Sequence, residues 1–268
     1  MTSIKTLNPG IVDQPARNRL AGYATRHAAR RQRRVWSGRV ATWNQHGSAA
    51  LTRVTAAVLE AADVPAGAQV VDLGCGTGQI SLPLALRGAQ VLAVDVSSAM
   101  VRRLQSEARR RGASGLEGLA LPIEELVLPP GSVDLVVSSY ALHHLRDPDK
   151  ARLVSAAYGW LRPGGRLIVA DMMFGRGTSR RDRVIIRSKV AALARKGPGG
   201  WWRIARNAAR YLVRLQERPL PAKAWTAMLD RSGFTGVTAT EIVAEAALVT
   251  GQRPENPVPD QIPRPGSR

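Results

Sequence analysis

A single cysteine, Cys75, stands among the 268 residues, so an intramolecular disulfide framework is excluded. No run of 18 apolar residues occurs, and no apolar stretch of signal-peptide type appears near the N-terminus. A membrane-spanning or exported chain is therefore not expected, and a cytoplasmic location follows by default. Lysine is scarce too: only five of the 39 basic residues are Lys, in a chain of formal charge +19. Two readings of that charge stand side by side. One is attraction to nucleic acid or to an anionic membrane, and the other is codon drift toward Arg in a GC-rich genome. Position matters more than the total, because the charge concentrates at two places outside the centre of the chain. No metal-ligand set is expected. What is present is ample apolar content, 44%, enough for one large core.

Residues 1–16 contain Pro9, Gly10 and Pro15 and read as a flexible tail. Residues 17–48 read as a basic helical cap, with the block Arg30-Arg31-Gln32-Arg33-Arg34 followed by Trp36, Trp43 and His46. An amphipathic helix is expected over 49–63, carried by Leu51, Val54, Val58, Leu59 and Ala62. From there strands and helices alternate, the pattern of a parallel sheet. Strands are expected at 69–73, 90–95, 115–120, 133–138 and 166–171. The helix after the first strand is expected to start inside the glycine run and end at Arg87. Ser97 is the expected N-cap of the next helix, and another helix should run from Pro148 to Leu161. Residues 254–268 hold five prolines and read as a disordered tail.

The first of these strands runs into the most informative stretch, Val70-Val71-Asp72-Leu73-Gly74-Cys75-Gly76-Thr77-Gly78. Alternating glycines let the backbone turn tightly and let a ligand approach without a Cβ in the way. A dinucleotide fingerprint would place its third glycine at position 79, which is Gln79. Asp72 would repel a pyrophosphate but would accept a cation. Cys75 is read as a small residue of the loop and not as a nucleophile.

This stretch resembles the first motif of the class I S-adenosylmethionine-dependent methyltransferases. Three further landmarks of that family follow in order: Val91 to Ser97 with Asp95 at its strand end, Gly131 to Leu145, and Leu161 to Asp171. The small-molecule branch, of the quinone- and menaquinone-biosynthesis type, is the nearest likeness. The resemblance implies an α/β, Rossmann-like seven-stranded sheet in the order 3-2-1-4-5-7-6, parallel with one antiparallel strand. Ser232 to Thr238 would lead into the sixth strand, and residues 246–251 would form the antiparallel seventh. The methyltransferase domain would span 49–253, with a helical lid inserted at 175–217.

It also implies roles for single residues. Gly74, Cys75, Gly76, Gly78 and Gln79 would face the methionine and ribose portion of S-adenosylmethionine, and Asp72 its ammonium. Asp95 would take the ribose diol, and Val96 and Met100 would pack near the adenine. Where relatives carry an Asp on the adenine amine this chain has Pro122, so Ile123 and Glu124 are expected to supply those contacts instead. Ser138, Ser139 and Tyr140 lie at the carboxyl end of the fourth strand, where open α/β sheets bind ligands. His143 and His144 are the base candidates, with packing at the loop the expectation for the pair; His143 and Tyr140 are carried forward as catalytic. Trp36, Trp43, Tyr140, Met173 and Trp201 are the expected acceptor pocket.

Within 175–217, Trp201, Ile204, Ala205, Ala208, Leu212 and Leu215 recur at helical spacing, with Arg203, Arg206, Arg210 and Arg214 between them. This reads as a lid, or alternatively as an interfacial helix on an anionic membrane, peripheral to its inner face. No Asn-Pro-Pro-Tyr-type element follows the fourth strand, so nucleic acid is not the expected partner. The expected function is methyl transfer from S-adenosylmethionine to a small apolar acceptor. The alternatives are a lipid or quinone methyltransferase at a membrane, an RNA methyltransferase, or a non-catalytic binding protein on the same scaffold.

Overall fold

The structure is a computed structural model that describes residues 49–175 and 218–255, together with Arg183, Val184, Arg187 and Ala191. The expected cap at 17–48, most of the expected lid, both tails, and with them Trp36, Trp43, His46 and Trp201, lie outside the described residues.

Strand β1 (Gln69–Leu73) is buried along its whole length because both of its faces are covered. It pairs in parallel with β2 (Gln90–Asp95) on one side and β4 (Val133–Ser139) on the other. Strand β3 (Leu116–Ala120) extends the sheet beyond β2, and β5 (Leu161–Met172) extends it beyond β4. The chain then returns through β6 (Thr235–Val243) to β7 (Ala246–Gln252), which lies antiparallel between β5 and β6. The result is a seven-stranded sheet in the order β3-β2-β1-β4-β5-β7-β6, as the sequence implied.

Alternation along the strands sends side chains to two layers. Val71, Leu73, Val136, Leu167 and Val169 meet helix α4 (Asp147–Trp160) and helix α5 (Ala222–Arg231) through Leu153, Val154, Ala157, Trp225, Met228 and Leu229. Val70, Leu135, Val137, Ile168 and Ala170 meet the opposite layer. That layer is α1 (Ala49–Ala61), α2 (Ser81–Leu86) and α3 (Ser98–Arg110), through Val54, Val58, Leu84, Ala85, Leu104 and Ala108.

Two boundaries depart from the sequence reading. Helix α2 starts at Ser81, after the glycine run and not inside it. Gly74 and Gly78 take left-handed backbone (φ 79° and 93°), which a right-handed helix cannot contain. Strand β5 begins at Leu161, earlier than expected, because Leu161 pairs with Val133 across a register shift. Its turn at Gly164 and Gly165 is also tied to Arg253 by two backbone hydrogen bonds of 2.8 Å.

Candidate functional site

The carboxyl ends of β1, β2 and β4 open onto one cavity, the place where open α/β sheets bind ligands. Gly74, Cys75, Gly76, Gln79 and Ile80 form its floor; Asp95, Val96 and Met100 come from β2 and α3. Ile123 and Glu124 belong to a single 3-10 turn after β3. Ser139, Tyr140, Ala141, His144 and Leu145 follow β4, and Leu51 and Thr55 come from α1.

Long-range packing shapes the glycine run. A Cβ on Gly74 would lie 2.2 Å from the Ala141 Cβ, so the loop after β4 presses directly on it. The N–H groups of Gly74 and Cys75 both donate to the Val94 carbonyl, at 2.8 and 3.0 Å. Gly76 donates its N–H to Asp95 Oδ2 (3.0 Å), and Ser97 donates its N–H to Asp95 Oδ1 (2.8 Å). Each carboxylate oxygen keeps a further lone pair for a ligand. Ser97 caps α3 as the sequence predicts, its Oγ accepting from the Met100 N–H at 3.4 Å.

Among the described residues three carboxylates line the cavity, and no Lys or Arg does. Asp72, 2% exposed, accepts a hydrogen bond from the Ser81 hydroxyl at the start of α2, so it also anchors that helix. Burial raises its carboxyl to about 7 against that hydrogen bond, with help from the nearby Asp95 charge. Asp95 is raised as well, by burial, while the Ser97 and Gly76 N–H groups oppose the shift. Glu124 is pushed up to about 7, first by burial and then by Asp149 and Glu125, against Arg146. Burial and the same two aspartates keep the Cys75 thiol well above its ordinary range, so it stays protonated.

The loop after β4 holds the corrections. Tyr140 has φ 51°, the one positive φ of a non-glycine residue among the described residues. Such strain persists where surrounding contacts enforce it, and here the Tyr140 N–H donates to the Ala170 carbonyl at 2.8 Å. Its phenol is pushed up to about 12, by burial and then by Glu245 and Asp171, so it acts as a donor and not as a base. Ser138 was expected at the cofactor but does not reach the cavity: it is buried, and its Oγ donates to the Leu73 carbonyl at 2.7 Å, pinning β4 to β1.

His143, expected to be catalytic, is likewise turned away. Its Nδ1 lies 2.5 Å from Asp171 Oδ1, and its N–H donates to Asp171 Oδ2 at 2.8 Å. Burial alone would raise the Asp171 carboxyl, but the His143 ring, its hydrogen bonds and the Met172 N–H bring it below the usual carboxylate range. Met173, expected in the acceptor pocket, is 1% exposed in the core beneath α4 and α5. Gly78 does not face the cavity either, since its missing Cβ makes room for Leu104. Sequence reasoning missed Leu51 and Thr55, whose signal was their i, i+4 spacing on one face of α1. His144, named with His143 as a base candidate but not carried forward as catalytic, lines the cavity while its neighbour does not.

Fold and site together define a Rossmann-like α/β domain whose ligand cavity is acidic. Residues 70–165 match the family described as Methyltransferase domain. An uncharacterized methyltransferase of Geobacillus kaustophilus is 30% identical over 136 residues, 49% of this chain and 57% of that protein. A ubiquinone biosynthesis O-methyltransferase of Acinetobacter baylyi is 31% identical over 108 residues, 40% of this chain and 44% of that protein. The chain thus spans about half the length of these curated relatives. Among solved structures, 1,6-didemethyltoxoflavin-N1-methyltransferase of Burkholderia thailandensis superposes with a TM-score of 0.61 at 19% identity, over 91% of this chain and 93% of that one. The likeness to methyltransferases thus covers residues 70–165 by the family model, and the fold by superposition.

Proposed function

We propose that the protein transfers the methyl group of S-adenosylmethionine to a small acceptor held in this cavity. The observation that carries the reading is electrostatic. In a chain with 39 basic residues, the cavity lining among the described residues holds Asp72, Asp95 and Glu124 and no Lys or Arg. Such a lining attracts a ligand with a sulfonium and an ammonium and repels one with a pyrophosphate. Asp95 suits a ribose diol, and Val96, Met100 and Ile123 suit an adenine. The cofactor supplies an electrophilic methyl group; the chain supplies alignment and exclusion of water, worth roughly 7–11 kcal/mol of barrier when geometry is good. The solved relative's complex with 1,6-didemethyltoxoflavin and S-adenosylhomocysteine supports a small acceptor of similar scale.

Calorimetry with S-adenosylmethionine tests the reading, and pH gives it a sign. Asp72 and Glu124 are raised to about 7, so near pH 6 most of each is neutral. A cation binds the ionised forms, so affinity should rise through about pH 7 and level off above, by up to about tenfold for each group per pH unit below 7. Binding near pH 6.5 should release protons, seen as a dependence of the heat on buffer ionisation. The same shifts weaken the free fold as pH rises from about 4 to 7, because the folded state holds protons that the unfolded chain has already lost. Absence of binding at pH 8 would sink the proposal and favour a non-catalytic role.

A membrane-resident acceptor is the second reading, favoured by where the charge lies. Residues 1–48 hold nine basic and one acidic residue, and residues 176–217 hold twelve and two. Residues 49–175 and 218–255 hold sixteen of each, so the excess is segregated. The first basic segment leads into α1, which carries Leu51 and Thr55 on the cavity wall. The second ends at Arg218, whose N–H donates to the His143 carbonyl (2.6 Å) beside His144. Each basic residue near an anionic surface contributes about 1 kcal/mol. Co-sedimentation with phosphatidylglycerol vesicles at low salt, lost at high salt and absent with phosphatidylcholine, is the expected result. Equal recovery in the supernatant with all vesicles would rule it out.

A further inference from the structure

We infer that Lys150 is a positioning residue for the cavity. Through the Arg218 backbone it holds the turn Leu142–His144, and so couples cofactor binding to the point where the chain returns from residues 176–217. The inference rests on the methyltransferase reading above. Lys150 stands in the first turn of α4 and is fully buried. A buried ammonium is costly, and a methionine of similar length would fill that space without the cost. What the charge holds is therefore informative. Its Nζ donates to Asp147 Oδ1 at 3.1 Å and to the Arg218 carbonyl.

Arg218 is held from its other side as well, since its N–H donates to the His143 carbonyl at 2.6 Å. The two backbone groups of one residue thus bridge the turn Leu142–His144 and the start of the helix that follows it. Both ends of the bridge are stiff. His143 is fixed at ring and N–H to Asp171 at the end of β5. Arg218 runs into Pro219-Leu220-Pro221, where each proline fixes its own φ and restricts the residue before it to extended backbone. Pro221 is the N-cap of α5, whose Trp225 is buried in the core.

The cavity meets this bridge at the loop after β4. Tyr140, Ala141, His144 and Leu145 line the cavity on either side of the buried His143, whereas Lys150 does not line it. Ala141 packs on Gly74, whose missing Cβ leaves the room. A cofactor that orders the glycine run therefore bears on Ala141, on the turn behind it and on the Arg218 N–H. The two states it biases are that N–H bonded to His143 and the same N–H open to water. Packed and hydrogen-bonded chains of this kind carry coupling between sites. The coupling is reciprocal, so loosening the bridge must weaken binding of the cofactor.

Native-state hydrogen exchange of the full chain, measured amide by amide with and without S-adenosylmethionine, tests this. In the parent protein, saturating cofactor should slow the Arg218 amide at least about fivefold, the low end of ordinary coupling. In Lys150→Met that amide should exchange faster, and cofactor should change its rate less than about twofold. Calorimetric affinity should fall about three- to tenfold, while saturating cofactor still protects the Gly76 amide. A merely structural lysine would speed amides throughout α4 and leave the cofactor's effect on Arg218 intact, which overturns the proposal. So does a parent protein that binds the cofactor with no change at Arg218. Should Lys150→Met not fold, Lys150→Gln carries the same comparison, and the parent measurement still decides whether the coupling exists. Failure of the parent protein to bind S-adenosylmethionine overturns the methyltransferase reading instead.

Discussion

Asp95→Ala is expected to reduce affinity for S-adenosylmethionine at least 100-fold while leaving the protein folded. The Asp95 carboxylate accepts from the Gly76 and Ser97 N–H groups at 3.0 and 2.8 Å, tying the glycine loop to the start of α3. It is also one of three acids facing the cavity. Hydrogen bonds to a charged group contribute about 1.5–3 kcal/mol each, and every ~1.4 kcal/mol is tenfold in affinity. Loss of two loop contacts, of the ribose-facing acceptor and of a counter-charge therefore exceeds two orders of magnitude. Asp95→Asn should fall between, since one oxygen still accepts. Calorimetry measures the affinities, and circular dichroism checks the fold. An alanine variant that binds within threefold of the parent would show that this carboxylate is not part of the cofactor site.

The largest stability effect is expected at Gly78. Its φ of 93° is one that L-residues rarely adopt, and an added Cβ would sit 2.2 Å from Leu104 Cδ1. Leu104 is fully buried between α3 and the sheet, so its side chain has little room to yield. A backbone cost of about 1–3 kcal/mol adds to overpacking of about 1–3 kcal/mol. Gly78→Ala should thus lower Tm by roughly 4–24 °C at about 2–4 °C per kcal/mol. Gly112 separates the two contributions. It has φ 71° with nothing within 4 Å of an added Cβ, so Gly112→Ala should carry the backbone cost alone. Thermal denaturation of both variants decides it: equal losses would mean that the Leu104 contact contributes nothing.

Gly78 shows how far the motif could be read. Its spacing marked a glycine for a ligand, whereas the fold uses it to seat Leu104, twenty-six residues later in the chain. Asp72, Gly74, Gly76, Asp95, Val96 and Met100 were legible because their placement is local: a strand end, a turn and a helix cap stand within a few residues of each other. Each of them lines the cavity. Glu124 was legible only as a substitute for an absent acid, and the structure places it on the same wall.

The loop after β4 was not legible in the same way. In a strand, successive side chains alternate, so one of Ser138 and Ser139 must face away from the ligand, but the period does not say which. Contacts distant in sequence choose. The Ser138 hydroxyl finds the Leu73 carbonyl, and the Asp171 carboxylate takes His143, leaving Ser139 and His144 to the cavity. The positive φ of Tyr140 shifts the phase again between the two pairs. Met173 illustrates the same limit, since one residue past β5 the chain carries it into the core.

The amino-acid order by itself marked alternating strands and helices and the segregation of charge, because periodicity and net charge are local or additive; the seven-strand order was implied only through the likeness to a known family. Only the tertiary structure decided which member of each adjacent pair, Ser138 or Ser139 and His143 or His144, lines the cavity. That choice is made by hydrogen bonds between strand ends 28 to 65 residues apart, and a local pattern does not contain them.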